Sequence, residues 1–257
     1  CSGKFFACLD ADSFVAKHTL RKMIHIFDQN DDNLAIVTPM MFVHDPKTIY
    51  QKFQNAEYIT TQLILRMMSS LDCIYIAPGP FSLYRAETIK ELGGFDVDNL
   101  TEDQEIAYRA QKHHYQIRHC PQAEVYTTSP ENFRKLYKQR NRWFKGTLLN
   151  LFKYKDLFLN KDFGDFGMFQ LPLVFFGFIL GILSLFIFSY FIIWPLMKFL
   201  YNLYLVGFDI FTYFSIYNVS WNLLDVEIGK AMLFVFIFLM TFTMFYYAHR
   251  NAKQPIT

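Results

Sequence analysis

Lys4-Phe5-Phe6-Ala7-Cys8-Leu9-Asp10-Ala11-Asp12-Ser13 is an apolar run that stops abruptly on two carboxylates. Phe5 to Leu9 is too short for a buried helix and reads as the end of a strand covered on both faces. Outward from it, residues 16–28 put Leu20, Met23, Ile24 and Phe27 on one helical face. Residues 34–42 are strand-like, and 50–68 read as a long helix with Phe53, Ile59 and Leu63 among its apolar positions. Two strand-like runs, 73–77 and 81–84, flank Pro78-Gly79-Pro80, and 89–92 close a short helix at Gly93-Gly94. Residues 102–112 form another helix, 115–119 and 124–127 short strands, and a last helix runs from near Pro130 to about Phe152. That alternation predicts an α/β domain over 1–150.

Three segments carry candidate chemistry. In open α/β sheets ligands bind at the carboxyl ends of strands, where Asp10 and Asp12 lie. Two carboxylates two apart can share a hard divalent cation, Mg²⁺ or Mn²⁺, with phosphate oxygens completing its shell; they can equally form a turn that caps the next helix. In Thr101-Glu102-Asp103-Gln104-Glu105, Thr101 with Gln104 fits a capping box, and acidic residues complement the helix dipole. Three carboxylates in four residues exceed what a cap needs, and the same dipole would keep a general base ionised. Gln139, Arg142 and Trp143 share one helical face, suited to holding a phosphate and stacking on a sugar. A juxtamembrane helix meeting lipid headgroups is the other reading, and it fits Lys135, Lys138 and Lys145.

The charge distribution separates this domain from the C-terminal third of the chain. Of the 25 Lys and Arg and 23 Asp and Glu, 41 lie in residues 1–167 and only five in 168–247. Residues 168–194 contain no charged side chain, and neither do 231–248, so each is long enough to cross a bilayer core with or without tilt. Asp209, Gly207, Asn218 and Asn222 interrupt the aromatic stretch between them, which reads as interfacial or re-entrant, with a third span the costlier alternative. Lys145, Lys153, Lys155 and Lys161 before the first span, and Arg250 and Lys253 after the last, put both basic ends on the cytoplasmic side. The expected order is therefore a domain over 1–150, an interfacial linker over 151–167, two spans within 168–248 and a cytosolic tail over 249–257. Net charge +2 argues against a nucleic-acid partner. The four cysteines lack zinc or disulfide spacing, and no Ser-His or Cys-His arrangement suggests a covalent nucleophile. The seven histidines read as surface or structural.

Asp10-x-Asp12, Ala77-Pro78-Gly79-Pro80-Phe81-Ser82-Leu83-Tyr84-Arg85, Thr101-Glu102-Asp103 and Gln139-x-x-Arg142-Trp143, in that order before apolar helices, resemble the processive membrane glycosyltransferases of family 2. That group includes cellulose, chitin, hyaluronan and poly-N-acetylglucosamine synthases. The resemblance implies a partial GT-A domain followed by transmembrane helices in a multi-pass plasma-membrane protein with its catalytic domain cytosolic. It implies that Asp10 and Asp12 bind the nucleotide diphosphate through Mg²⁺ or Mn²⁺, with Asp12 the direct ligand. Asp103 is similar to the family's general base, with Glu102 beside it as a substrate contact. Gln139, Arg142 and Trp143 look like the motif that holds the pyrophosphate and the acceptor end of the polymer, and Ser82 would line the acceptor side.

The partners implied are a UDP-sugar, a glycan acceptor, the bilayer and an accessory membrane subunit. Poly-N-acetylglucosamine is the expected type of product. A lipid-acceptor enzyme of the ceramide glucosyltransferase type shares the Gln-x-x-Arg-Trp pattern, and a non-catalytic scaffold would keep the fold alone. The family's uracil- and ribose-gripping strand does not precede Phe5, and no FxVTG-like gating motif follows Trp143. The chain therefore reads as the C-terminal part of a longer enzyme, expected to bind a sugar nucleotide weakly and to be inactive by itself.

Overall fold

The computed structural model describes residues 3–30, 32–209, 212 and 228–252. It divides into two compact units, 1–173 with 244–257, and 174–243. The first unit is built on a mixed five-stranded sheet. Its strands are β1 (Phe5–Ala7), β2 (Phe14–Val15), β3 (Leu34–Val43), β4 (Leu83–Arg85) and β5 (Gln116–Thr127), in the order β1-β4-β3-β5-β2. Only the central pair, β3 and β5, is parallel. All ten residues of β3 are buried, which is why it is a continuous run rather than an alternating one.

Helices cover this sheet. Along the chain they are α1 (Thr19–Gln29), α2 (Ile49–Ser70), α3 (Ala86–Glu91), α4 (Glu102–Lys112) and α5 (Phe133–Lys153). Met23 and Phe27 of α1 pack with Leu34, Val37 and Leu83. Leu65 and Met68 of α2 join Ile106, Ala107, Tyr108 and Ala110 of α4 in a larger core. Gly93 and Gly94 end α3 as expected: both have positive φ, and Gly94 N–H donates to Ile89 O at 2.8 Å.

Three local expectations are corrected. Residues 73–77 form no strand; their backbone is satisfied instead by Met68 O, by the Gln111 side chain on Ile74 O at 3.1 Å and by Asp103 O on Ala77 N–H at 3.1 Å. The two short strands 115–119 and 124–127 are one strand, β5, whose register against β3 jumps from Pro39–Cys120 to Met40–Glu124. Pro39 and Pro121 flank that jump, and neither can donate to a ladder. The capping box lies on α2, where Thr48 and Gln51 bond reciprocally, and not at Thr101, whose side chain makes no cap bond.

Within residues 151–167, Tyr154, Leu157 and Phe166 are buried in the larger cluster. A helical run then extends from Phe166 to Leu205, 40 residues containing an 18-residue stretch with mean hydropathy 2.6. It joins α6 (Leu171–Phe188) to α7 (Trp194–Leu205) through a π turn at Ser189–Ile193, which precedes Pro195 and absorbs the hydrogen bond that proline cannot make. At 1.5 Å per residue the run is about 60 Å long, against about 30 Å for a bilayer core. Among the described residues it is the one helix long and apolar enough to cross a membrane. It therefore continues past Trp194, where the sequence suggested an end, and stops where Gly207 and Phe208 take positive φ. The remainder of the interfacial or re-entrant stretch, 210–211 and 213–227, lies outside the described residues, as does the tail 253–257. The second expected span lies within α8 (Ile228–Ala252). At its end Ala248 is buried with Met40, Phe42 and Ile59 in the first unit.

Candidate functional site

The chain leaves β1 into a turn closed by Ser13 N–H on Asp10 O at 3.0 Å. Asp10 and Asp12 are both exposed there. Neither caps α1, whose N-cap is His18 without a side-chain bond, so the helix-capping reading of the two aspartates is not realised. Asp12 instead accepts from Ser13 Oγ at 3.3 Å and, through its other oxygen, from the Thr128 hydroxyl. Thr128 arrives because β2 pairs with β5 in the register Phe14–Tyr126, and Ser13 Oγ donates to Thr127 Oγ1 at 2.7 Å. Partial burial, then the charges of Asp12 and Glu102, hold the Asp10 carboxyl above the usual carboxylate range, while Arg142 opposes them.

Asp103 stands in the first turn of α4. Its Oδ1 accepts Gln104 N–H at 2.8 Å, and the N–H of Gly79 also reaches its carboxylate. Desolvation and the neighbouring Glu102 push the carboxyl up to about 6, against the pull of those two bonds and of Arg142. Glu102 itself is exposed. Ser82 is fully buried, and its hydroxyl donates to Pro78 O at 2.7 Å. It braces the turn that carries Gly79 and has no exposed surface in this structure.

Gln139, Arg142 and Trp143 lie on α5, which Asn132 caps by accepting Lys135 N–H at 3.0 Å. Gln139 Oε1 accepts from Gln54 Nε2 at 3.1 Å. The Arg140 guanidinium lies 4.5 Å from the Trp143 ring centroid and makes a bidentate bond to Glu57. Arg142 is exposed.

The electrostatics tie these segments together. Asp10 senses Asp12, Glu102 and Arg142, and Asp103 senses Glu102 and Arg142. Tyr58 of α2, bonded to Gln54 at 2.9 Å, senses both Asp12 and Arg140. Carboxylates almost a hundred positions apart thus lie within electrostatic reach of one guanidinium. Sequence reasoning missed Gln54, Tyr58, Gly79 and Thr128. For the α2 pair a signal existed: Gln54, Tyr58 and Gln62 recur every fourth residue and make a polar stripe on an otherwise apolar face. Among the described residues no three His, Cys, Asp or Glu side chains are grouped to hold a metal. Asp10 and Asp12 offer hard oxygen donors for part of a cation's shell, and their mutual repulsion would be relieved by a positive charge. His119, buried and bonded to Thr38 at 3.1 Å, is held down at about 4 by desolvation and is structural.

The model of glycosyl transferase family group 2 matches residues 5–247. A poly-beta-1,6-N-acetyl-D-glucosamine synthase of Staphylococcus epidermidis is 31% identical over 146 residues, 56% of this chain and 35% of that protein. The protein of the same description from Staphylococcus aureus strain COL is 29% identical over 143 residues, 55% of this chain and 34% of its own length. The aligned part is thus about a third of the length of these curated relatives. A solved mannosyltransferase of Pyrobaculum calidifontis, in complex with GDP-mannose and Mn²⁺, superposes with a TM-score of 0.47 at 17% identity, covering 61% of this chain and 40% of that one.

Proposed function

We propose that this chain, which belongs to glycosyl transferase family group 2, carries the acidic cleft of an inverting hexosyltransferase that extends a poly-N-acetylglucosamine-like polymer from a UDP-sugar. The observation that supports the reading is that Asp10 and Asp103, far apart in the chain, both lie within electrostatic reach of Glu102 and of Arg142.

The chemistry follows from these side chains. Sugar transfer from a nucleotide diphosphate needs stabilisation of the departing phosphate charge and removal of a proton from the attacking hydroxyl. Arg142 supplies charge-assisted hydrogen bonds to the diphosphate, and Gln139 donates an amide N–H beside it. Asp10 and Asp12 would hold Mg²⁺ or Mn²⁺, which when bound acts as a Lewis acid on the leaving diphosphate. Asp103, raised to about 6, is ionised at neutral pH yet basic enough to take the acceptor proton in the transition state. The bonds from Gly79 and Gln104 fix its carboxylate without consuming every lone pair. A single base with direct attack gives inversion at the anomeric carbon. Trp143, with Arg140 over its ring, presents a flat edge for the acceptor sugar.

A bilayer partner is supported by the apolar helix Phe166–Leu205 and by α5, where Phe133, Tyr137, Phe144, Leu148 and Phe152 are exposed among basic residues. In that setting the domain draws donor from the cytosol and the glycan leaves through a multi-pass plasma-membrane part. The test is incorporation of radiolabelled UDP-N-acetylglucosamine by membranes carrying the protein. Polymer sensitive to a β-1,6-N-acetylglucosaminidase is expected. A single-sugar glycolipid would move the assignment to a lipid acceptor, and turnover undiminished in Asp103→Asn would remove the base.

A further inference from the structure

The Thr101 side chain, at the start of α4, packs directly on the bare backbone of Gly146 in α5. A Cβ on Gly146 would lie within 3.0 Å of Oγ1, Cγ2 and Cβ of Thr101, closer than real Cβ atoms come to their neighbours. One turn along α5, Asn150 is fully buried, and its amide is spent on the same segment. It donates to Thr101 Oγ1 at 3.1 Å and to Gln104 Oε1 at 3.4 Å, and accepts from Asn99 Nδ2 at 2.8 Å. One turn further, Lys153 Nζ and the Tyr154 hydroxyl reach Glu105 Oε1 at 2.8 and 2.5 Å. Three successive turns at the end of α5 thus read Thr101, Gln104 and Glu105 in order. Asp103 lies inside that contact on one side. Arg142 lies one turn before Gly146 on the other.

We propose that Gly146 and Asn150 are positioning residues, a spacer and a clamp that set how far Asp103 stands from Arg142 and Trp143. This rests on the assignment of Asp103 as base. The chain carries no side chain at 146 because close approach is the function of that position: any Cβ must push α5 away from the residue two before the base. Asn150 holds the gap from opening, since all the hydrogen-bonding capacity of its side-chain nitrogen is satisfied by α4 and its lead-in. Neither residue touches substrate in this arrangement. Their effect is on the geometry of attack, where a displacement of about 1 Å costs on the order of a hundredfold in rate.

The experiment compares kcat and the KM for UDP-N-acetylglucosamine in membranes carrying wild type, Gly146→Ala, Thr101→Gly, the double variant, Asn150→Ala and Asp103→Asn. Gly146→Ala is expected to lower kcat about 10–100-fold with a much smaller change in KM. Removing the three facing atoms in the double variant should return kcat to that of Thr101→Gly alone. Because relief of the clash would restore stability too, rates are taken per folded molecule, where a loss in kcat with KM nearly unchanged separates positioning from a defect in overall stability. Asn150→Ala, which adds no bulk, covers the case in which Gly146→Ala does not fold, and should show the same kcat-weighted loss. Wild-type kcat in both Gly146→Ala and Asn150→Ala overturns the proposal, as does a folded double variant without rescue. An inactive Asp103→Asn beside such results leaves the base in place and ends the clamp alone. A fully active Asp103→Asn ends both.

Discussion

Gln54 donates its side-chain amide to Gln139 Oε1 at 3.1 Å, across the contact between α2 and α5. The same nitrogen donates to the Tyr58 hydroxyl at 2.9 Å, and Gln54 is only 2% exposed. Engaging the oxygen of Gln139 from behind leaves its amide nitrogen as the end that can donate to a phosphate or sugar oxygen. Gln54→Leu should therefore free the Gln139 amide to rotate and raise the donor KM several-fold, with a smaller effect on kcat. Gln54→Glu should turn the amide the other way, since a carboxylate accepts and cannot donate, and raise KM further. Steady-state kinetics on the two variants checks the order.

Asp103 gives two predictions of opposite sign. Asp103→Asn should cut transfer by about 10²–10⁴-fold, the usual worth of a general base. It should also stabilise the fold at pH 8. The folded carboxyl is raised from 3.8 to about 6, so its ionised form is disfavoured by folding. That penalty is fully present above pH 6 and vanishes below pH 3.8, so the gain from Asn, about 1–3 kcal/mol, should fade as pH falls through that window. Thermal midpoints at pH 8 and pH 4 measure it. The wild-type rate should rise with pH through a limb near 6.

The parts of this site that were legible in the sequence are those whose geometry is local. A strand ending in Asp10-Ala11-Asp12, a helix starting at Glu102 and the i, i+3, i+4 set Gln139, Arg142 and Trp143 each need only one element to be read correctly. The order of those elements and the α/β alternation were legible for the same reason. What escaped depends on partners distant in sequence. Gly79 matters through the fold of Pro78 and Ser82 against α4, and Thr101 is committed to Asn150 rather than to a local cap. The apolar run 73–77 reads as a strand in isolation, yet α4 occupies its backbone before a ladder can form. The first apolar helix continues through Lys198 because helical continuity does not require the absence of charge at its far end.

Asp12 should depend on a cation and Asp10 should show why. Repulsion from Asp12 and Glu102 adds to partial burial in raising the Asp10 carboxyl, an arrangement that a divalent ion relieves. Chelation is expected to stop transfer, with Mn²⁺ or Mg²⁺ restoring it. Asp12→Asn should raise the metal concentration needed for half-maximal rate by at least tenfold while leaving the thermal midpoint without metal within a few degrees, because Asn keeps one acceptor oxygen for Ser13 or Thr128 and its amide nitrogen can donate to the other hydroxyl. Full activity of wild type in excess chelator would remove the cation from the site.

Glu105 separates structure from catalysis within one acidic motif. Its side chain is buried and receives Arg109 at 2.6 Å, Lys153 at 2.8 Å and the Tyr154 hydroxyl at 2.5 Å. Burial alone would lower the Lys153 ammonium, yet its bonds to Asp96 and Glu105 outweigh that and hold it above the ordinary value. Glu105→Ala leaves Lys153 and Arg109 without their shared anion and a cavity beside Tyr154. Loss of one partner from a buried pair costs about 3–5 kcal/mol, so the thermal midpoint should fall sharply. Glu105→Gln keeps one acceptor oxygen, enough for Tyr154 or Arg109 but not for both, and adds no cavity, so it should lose less. Neither change moves a group that touches substrate, so turnover per folded molecule in Glu105→Gln should stay within a few-fold of wild type, against the collapse in Asp103→Asn. Equal collapse of turnover in both variants, with Glu105→Gln still folded, would show that Glu105 bears on the chemistry, directly or through the joint between α4 and α5.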